Sequence, residues 1–140
     1  RIRNLYNKIF KIKNNLKCYM GVIEEKSPIL KKTKFVFCIE NASIDGYISD
    51  PIFDAFNNGC VPIYLGAENI KKYIPKNTFI DFNLFENFYE LFNYLENIND
   101  NVYSEFQNNI KKFINSQKIN EFNEIGFTNT IYNNLINDTK

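Results

Sequence analysis

The sequence predicts an α/β fold in which a parallel sheet is flanked by helices. Two short apolar runs, residues 34–39 and 61–65, have the length and composition of buried strands. A segment with helical spacing lies between them, and longer helical segments follow towards the carboxyl terminus. Strands that alternate with helices in this way are typical of parallel sheets covered by helices.

The chain before the first strand predicts one helix and one loop. Residues 3–16 place apolar side chains on one helical stripe. Residues 17–32 contain a glycine and a proline and lack that stripe, so we expect a loop there.

The first strand and the helix after it are the clearest local prediction. Residues 34–39 are apolar on both faces, as expected of a buried parallel strand. Asp50 is a good N-cap, and Pro51 suits the first helical position. Gly59 ends this helix, and the second strand is closed by Gly66. The expected buried face of the helix comprises Ile52, Ala55 and Phe56.

The second half of the chain predicts one more strand and mostly helices. The expected elements are a short helix around residues 68–73, a strand over 78–81, and helices over 83–98, from 99 onwards, and over 119–138. We expect the last helix to be weakened at Gly126. The many asparagines are expected to occupy positions that face the solvent.

Composition excludes several classes of function. The net charge of +1 gives no electrostatic reason to expect a nucleic acid or an anionic membrane as partner. The longest apolar runs are far shorter than the roughly 20 residues of a spanning helix, so we expect no transmembrane helix in this segment. We also expect no signal peptide, because no apolar stretch follows Arg1. Because the chain does not begin with methionine, we expect it to be a piece of a longer protein.

The cysteines do not suggest a metal site. Cys18, Cys38 and Cys60 lack the paired spacing of zinc ligands, and the chain contains no histidine. The absence of histidine also excludes Ser-His and Cys-His catalysis within this segment. We expect Cys38 and Cys60 to pack as small apolar residues, which weakly favours a reducing compartment.

Five polar residues cluster between the first strand and the helix that follows, namely Glu40, Asn41, Tyr47, Ser49 and Asp50. In open parallel sheets, nucleotides bind where strands end and helices begin. Glu40 or Asp50 could accept hydrogen bonds from ribose hydroxyls, and Tyr47 and Ser49 could donate to phosphate. Asn41 could contact a base edge or fix the loop.

Structural roles are also open to these residues. Asp50 could serve only as an N-cap, Ser49 as a turn residue and Tyr47 as part of the core. Glu40 is harder to explain in this way, because a carboxylate that ends an apolar run needs a partner if it is buried.

Residues 37–41, Phe-Cys-Ile-Glu-Asn, and 46–50, Gly-Tyr-Ile-Ser-Asp, carry a family resemblance. Together they resemble the signature of the α-1,3/4-fucosyltransferases, glycosyltransferase family 10. Residues 61–66, Val-Pro-Ile-Tyr-Leu-Gly, resemble a later strand of the same family. The resemblance covers roughly residues 3–114 and is most specific in the central segment.

The resemblance implies the C-terminal half of a GT-B glycosyltransferase, with a Rossmann-like parallel sheet flanked by helices. Residues 1–140 would then be the donor-binding domain, without the N-terminal domain that binds the glycan acceptor and supplies the catalytic base. The reaction would be inverting transfer of fucose from GDP-fucose. No catalytic residue is expected in this segment, and no metal or other cofactor is required. The compartment would be cytoplasmic or membrane-peripheral in a bacterial relative and the Golgi membrane in a eukaryotic one.

The resemblance also assigns roles to individual residues. Arg3 would contact the phosphates, Tyr47 and Ser49 would line the diphosphate, and Asp50 would hold the ribose hydroxyls. Glu40 and Asn41 would shape the guanosine end of the site and the loop.

Pro51 departs from the family pattern, which places a lysine there. Proline offers neither a charge nor an N–H group to a diphosphate. Two alternatives therefore remain open. Residues 59–63, Gly-Cys-Val-Pro-Ile, also resemble a strand of exostosin-like GT-B transferases, which use other nucleotide sugars. The domain could also be a non-catalytic module that binds a nucleotide or a partner.

Overall fold

A computed structural model describes residues 24–137 of the chain. Its strands are β1 (Phe35–Ile39), β2 (Val61–Leu65) and β3 (Ile80–Asp81). Its helices are α1 (Ser27–Leu30), α2 (Pro51–Asn57), α3 (Phe88–Glu96), α4 (Asp100–Ile114) and α5 (Glu124–Asn137). Three 3₁₀ turns cover Ile70–Lys72, Phe82–Leu84 and Gln117–Phe122. The helix predicted over residues 3–16, Arg3 and Cys18 lie outside the described residues.

The described strands form one parallel sheet, which confirms the predicted α/β class. The strand order is β1-β2-β3, and every residue of the central strand β2 is buried. Phe35 lies opposite Val61 at the start of the β1–β2 pair, and Ile39 lies opposite Leu65 at its end. The prediction that β1 is buried on both faces is wrong, because β1 has only β2 as a neighbour among the described strands and Phe37 is 41% exposed.

The core on one face of the sheet is formed by α2 and α4. The predicted buried face of α2 is confirmed, since Ile52, Ala55 and Phe56 are all buried. The ring of Phe56 meets that of Phe113 on α4 edge to face at 5.9 Å. Other aromatic rings on β1, the Phe82–Leu84 turn and α3 pack together as Phe37, Phe82 and Phe88.

The helix predicted over residues 83–98 begins later in the structure. The Asp81 carboxylate accepts the Asn83 N–H at 3.1 Å and starts the Phe82–Leu84 turn. The Asn87 side chain then caps α3 by accepting the Glu90 N–H at 3.0 Å. Two local caps therefore interrupt the apolar periodicity, and Leu84, at the end of the first turn, is 70% exposed.

Three other predicted boundaries also change. The loop expected over residues 17–32 contains α1, which begins with Ser27-Pro28. The helix expected around residues 68–73 is the 3₁₀ turn Ile70–Lys72, and the strand expected over 78–81 is the shorter β3.

The final helix breaks at Asn123 rather than at Gly126. The Asn123 side chain accepts the N–H groups of Ile125 and Gly126 at 3.0 and 3.1 Å, and so starts α5 there. Gly126 lets α5 approach the preceding turn, because an added Cβ would collide with the Asn120 carbonyl and lie 2.8 Å from the Glu121 Cα. Gly126 is therefore a packing position and not a point of weakness.

Most asparagines among residues 24–137 are exposed, as expected, and several of them also close the ends of helices. Asn87 and Asn99 cap the amino termini of α3 and α4. At the other ends of α2, α3 and α4, side-chain amides donate to carbonyls four residues earlier, at 2.7–2.8 Å. These C-cap residues are Asn58, Asn97 and Asn115. The short polar amide serves at both ends because it carries a donor and an acceptor.

The packing predicted for two cysteines is confirmed. Cys38 and Cys60 are buried free thiols. The Cys60 thiol points at the carbonyls of Leu30 and Thr33, and burial raises its pKa. Within the described residues, every helix is too short or too polar to cross a membrane.

Candidate functional site

The carboxyl ends of the three described strands share one edge of the sheet, because the strands are parallel. The β1–α2 loop, residues 40–50, begins at this edge and ends where α2 begins. All of the predicted site residues except Arg3 lie in this loop. The fold therefore brings the predicted polar cluster to the edge where nucleotides bind in parallel sheets.

Glu40 is the buried anchor of the β1–α2 loop. It is only 4% exposed, and its two carboxylate oxygens each accept a hydrogen bond from Ser49. The Ser49 N–H donates to Oε1 at 2.8 Å, and the Ser49 hydroxyl donates to Oε2 at 2.5 Å. The expectation that Glu40 needs a partner is thus confirmed, and the contact fastens the end of the loop to its beginning.

Tyr64 supports the same loop from β2. Its hydroxyl donates to the Tyr47 carbonyl at 3.4 Å and accepts the Ala67 N–H at 3.1 Å. Burial, together with the nearby Glu40 carboxylate, raises the pKa of Tyr64 to about 12, so the hydroxyl keeps its proton at neutral pH. Tyr64 was not predicted as a site residue, although it lies in a segment, residues 61–66, that resembles a family strand.

Gly66 leaves room for the side chains of both Glu40 and Tyr64. A Cβ on Gly66 would collide with the Glu40 Cγ and the Tyr64 hydroxyl, and would lie 2.7 Å from the Tyr64 Cζ. From the sequence, this glycine was expected to close β2 and to belong to the segment that resembles a family strand. Its structural role is to let Glu40 and Tyr64 meet beneath the loop.

Two further hydrogen bonds hold the middle of the β1–α2 loop. The Ser43 hydroxyl donates to the Gly66 carbonyl at 2.8 Å. The Gly46 N–H donates to the Asn69 side-chain oxygen at 2.8 Å, and Gly46 has a φ of +76°, which favours glycine. The loop is therefore fixed along its length by side chains that follow both β1 and β2.

The side chains that remain exposed on this fixed loop include Asn41, Tyr47 and Asp50. Tyr47 is 42% exposed, so the alternative that it belongs to the core is wrong. Asp50 occupies the N-cap position of α2, yet its side chain makes no capping hydrogen bond. The carboxylate of Asp50 is thus left available, and helix capping does not account for it.

Ser49 and Pro51 have local structural roles. The hydroxyl hydrogen of Ser49 is directed at Glu40, so the contact with phosphate that we predicted for Ser49 stays a prediction. Pro51 is the first residue of α2, where its fixed φ and missing N–H cost nothing. Lys71, a lysine that could replace the one that the family has at this position, is paired with Asp81 at 2.6 Å.

A cleft of about 690 Å³ opens beside the β1–α2 loop. Gly46 and Ile48 of the loop line one side, and the Gln117–Phe122 turn and α5 line the other. Among the described residues, no three His, Cys, Asp or Glu side chains are grouped so that they could hold a metal ion.

The parallel sheet, its flanking helices and the fixed loop at the carboxyl edge of the sheet define a Rossmann-like domain. Residues 3–130 match the family model described as glycosyltransferase family 10 (fucosyltransferase), C-terminal part. The chain belongs to this family. The match extends the resemblance seen at residues 37–50 over most of the chain, and it favours family 10 over the exostosin-like alternative.

Several curated relatives are fucosyltransferases. The chain is 37% identical over 75 residues to an alpha-(1,4)-fucosyltransferase of Arabidopsis thaliana, covering 52% of this chain and 19% of that protein. It is 31% identical over 74 residues to the alpha-(1,3)-fucosyltransferase FucT of Helicobacter pylori, covering 53% and 16%. The chain therefore matches less than a fifth of the length of each of these relatives.

A solved structure shows the same fold. The crystal structure of an alpha1,3-fucosyltransferase with GDP-fucose superimposes with a TM-score of 0.60 at 24% identity. The match covers 76% of this chain and 34% of that chain. A second crystal structure, of an alpha1,3-fucosyltransferase with GDP, gives the same TM-score.

Proposed function

We propose that this domain binds the GDP-fucose donor of a fucosyltransferase at the β1–α2 loop. The observation that carries the proposal is the double hydrogen bond from Ser49 to the buried Glu40. A loop held in this way presents its exposed groups in one arrangement before a ligand arrives, which reduces the entropy lost on binding.

The exposed side chains of the loop suit the parts of a nucleoside diphosphate. The Asp50 carboxylate accepts hydrogen bonds from ribose hydroxyls, and it has no competing cap hydrogen bond. The Tyr47 hydroxyl donates to the diphosphate, while Asn41 contacts the nucleoside or the loop itself. Arg3, which precedes the described residues, adds a guanidinium to the phosphates, as the family pattern implies.

The proposed reaction is inverting transfer of fucose to a glycan hydroxyl. The carboxylate base that deprotonates the acceptor belongs to an N-terminal domain, so the domain described here supplies the donor and not the base. Donor binding by hydrogen bonds and cations needs no metal ion, and the proposal therefore includes no cofactor. Titration in the presence of EDTA checks this point, since unchanged GDP affinity is expected.

Calorimetric titration of the purified protein with GDP, GDP-fucose and a series of UDP-sugars tests the proposal. We expect binding of GDP and GDP-fucose and much weaker binding of the UDP-sugars. Selective binding of UDP-sugars would instead indicate a different donor. Tyr47→Phe, which removes only the hydroxyl from an exposed ring, should weaken GDP binding without lowering the melting temperature.

A non-catalytic module is the second candidate, and two observations favour it. Pro51 brings no ammonium group to the start of α2, and the Lys71 ammonium is already paired with Asp81. The proline at position 51 and the Lys71–Asp81 ion pair therefore each leave less positive charge to bind a diphosphate. If neither GDP nor GDP-fucose binds at millimolar concentration, this second candidate replaces the first.

A further inference from the structure

Tyr47, the proposed contact for the diphosphate, leaves a tight turn that depends on a glycine. The Tyr47 N–H donates to the Ile44 carbonyl at 3.0 Å, so residues 44–47 form a β-turn. Gly46, the third residue of this turn, has a φ of +76°, and Asp45 before it has no positive φ. A turn with these signs is of type II, in which the third position strongly favours glycine.

Asn69 holds the peptide group at the centre of this turn. Its side-chain oxygen accepts the Gly46 N–H at 2.8 Å. That N–H belongs to the central peptide of the turn, which points the opposite way in the commoner type I turn. The hydrogen bond from Gly46 to Asn69 therefore stabilises the type II orientation over that alternative.

The segment that carries Asn69 is itself held firmly. Asn69 comes immediately before a 3₁₀ turn that begins at Ile70. Ile70 and Ile74 are buried in the core, and the Lys71 ammonium is paired with the Asp81 carboxylate at 2.6 Å. Asn69 thus presents its oxygen from a fixed position, as a residue that orients another part of the chain must.

Tyr73 contacts the same glycine from the other end of the 3₁₀ turn. An added Cβ on Gly46 would lie 3.2 Å from the Tyr73 hydroxyl oxygen, which is closer than an ordinary van der Waals contact. The β-turn of residues 44–47 therefore rests against Tyr73 and is hydrogen-bonded to Asn69. Both neighbours come from the segment that joins β2 to β3, so that segment sets the position of the glycine.

Residues 44–48 have few restraints from outside the β1–α2 loop. Within the part of the chain that the structure describes, two hydrogen bonds from outside the loop reach this stretch. One is the Asn69 contact at 2.8 Å, and the other joins the Tyr64 hydroxyl to the Tyr47 carbonyl at 3.4 Å. The shorter bond is the better formed, so Asn69 is the main restraint on the stretch that carries Tyr47.

We propose that Asn69 is a positioning residue, which aims the Tyr47 hydroxyl at the diphosphate without touching the donor itself. This role rests on the donor site proposed above. Without the restraint, residues 44–48 would sample other conformations, and more entropy would be lost on binding. Asn69 lies outside the three segments that carry the family resemblance, so the resemblance assigns it no role.

A double-mutant cycle with GDP as the ligand tests this role. Calorimetry compares the wild type, Asn69→Ala, Tyr47→Phe and the double variant. Asn69→Ala should weaken GDP binding about three- to tenfold, the equivalent of one hydrogen bond. In the Tyr47→Phe background the same change should have almost no further effect, because the hydroxyl that Asn69 positions is already absent. Asn77→Ala is the control, because Asn77 is an exposed asparagine in the next loop, and it should bind GDP as the wild type does.

Two further measurements separate positioning from a general effect on stability. Asn69→Asp keeps an acceptor oxygen on a side chain of the same size. At high salt, which screens its added charge, this variant should bind GDP nearly as the wild type does. In the absence of any ligand, the Gly46 amide proton, followed by NMR, should exchange with solvent faster in Asn69→Ala than in the wild type or Asn69→Asp.

Three results would overturn the assignment. If the wild type binds GDP and Asn69→Ala binds it equally well, Asn69 positions nothing that the donor contacts, and the donor site at the β1–α2 loop stands. If the losses in Asn69→Ala and Tyr47→Phe add up in the double variant, or if Asn69→Asp binds as weakly as Asn69→Ala, Asn69 does not act through Tyr47. If the wild type binds no GDP at all, both the positioning role and the proposed donor site are wrong.

Discussion

Glu40 and Ser49 are joined by two hydrogen bonds, one from the Ser49 amide and one from its hydroxyl. The two residues stand at the ends of the β1–α2 loop, so this contact closes the loop on itself. The acceptor is the Glu40 carboxylate, which is almost completely buried. Burying this charged group is costly, and hydrogen bonds to both of its oxygens offset that cost.

Glu40→Gln should lower both stability and donor affinity. The amide keeps one acceptor oxygen but turns an NH₂ group towards one of the two Ser49 donors. A buried group left unsatisfied costs about 1–3 kcal/mol, which chemical denaturation would measure. Glu105→Gln is the control, because Glu105 is exposed on α4. Equal unfolding free energies for the two variants would contradict the role given to Glu40.

Gly66→Ala should disturb the β1–α2 loop by displacing Glu40 and Tyr64, the two residues that hold it. The new methyl group would collide with Tyr64 and Glu40, and overpacking of this kind costs about 1–3 kcal/mol. GDP affinity should fall together with the melting temperature. Gly59→Ala offers a comparison, since Gly59 has a φ of +77° but only Gln107 at 3.9 Å near its would-be Cβ. That variant should lose stability and keep its GDP affinity.

Asp50→Ala separates ligand binding from helix capping. The Asp50 side chain makes no cap hydrogen bond, so we expect the unfolding free energy to change by no more than about 0.5 kcal/mol. GDP binding, measured by calorimetry, should weaken about tenfold or more, because a carboxylate contact to ribose is lost. Asp45→Ala, an exposed change in the same loop, should affect neither quantity. A lower melting temperature with unchanged affinity would show that Asp50 acts on the helix.

Pro51→Lys should strengthen GDP binding. The first turn of α2 accepts most residues, and the substitution places an ammonium group next to Asp50. The gain should shrink as salt is raised, because the interaction is electrostatic and largely exposed. Pro51→Gln is the matched control without the charge. If lysine and glutamine give the same affinity, the diphosphate does not lie near this position.

Stability should decline at alkaline pH, chiefly through the two buried acids whose pKa values are raised most. Burial, with a smaller contribution from the Glu40 charge, raises the pKa of the Cys38 thiol from its ordinary 9.0 to about 12. The pKa of Tyr64 rises from 10.0 to about 12, chiefly through burial. The unfolded chain therefore releases these protons first, so stability is fully present below pH 9 and is lost as pH rises towards 12.

Urea unfolding between pH 8 and pH 11 measures this decline. Each group that titrates only in the unfolded chain adds a slope of about 1.4 kcal/mol per pH unit. Cys38→Ala should reduce the slope above pH 9, and Tyr64→Phe should reduce it only above pH 10. Slopes that stay parallel to the wild type in both variants would rule out these two residues as the cause.

The sequence predicts β1, α2 and β2 well because their signals are local. Pro51 and Gly59 mark the ends of α2, and short apolar runs mark the strands. The beginning of α3 was mispredicted because the caps at Asp81 and Asn87 compete with an apolar period that continues across them.

The candidate site was predictable in its location but not in its construction. Glu40 was identified as a carboxylate that needs a partner, yet the choice of Ser49 depends on how the loop folds back. The contributions of Tyr64 and Gly66 depend on the alignment of β2 beside β1, which no local pattern encodes. The cleft beside the loop depends on how α5 packs against the Gln117–Phe122 turn, and a sequence pattern does not show it.

The asparagine-rich composition affects how the ends of the helices respond to pH and salt. Asn87 and Asn99 cap α3 and α4 at their amino termini, and Asn97 and Asn115 bond to carbonyls at the other ends. An amide neither gains nor loses a proton across the physiological range, and salt does not screen it. The hydrogen bonds that these asparagines make should thus hold equally well in acidic and neutral media and at low and high ionic strength.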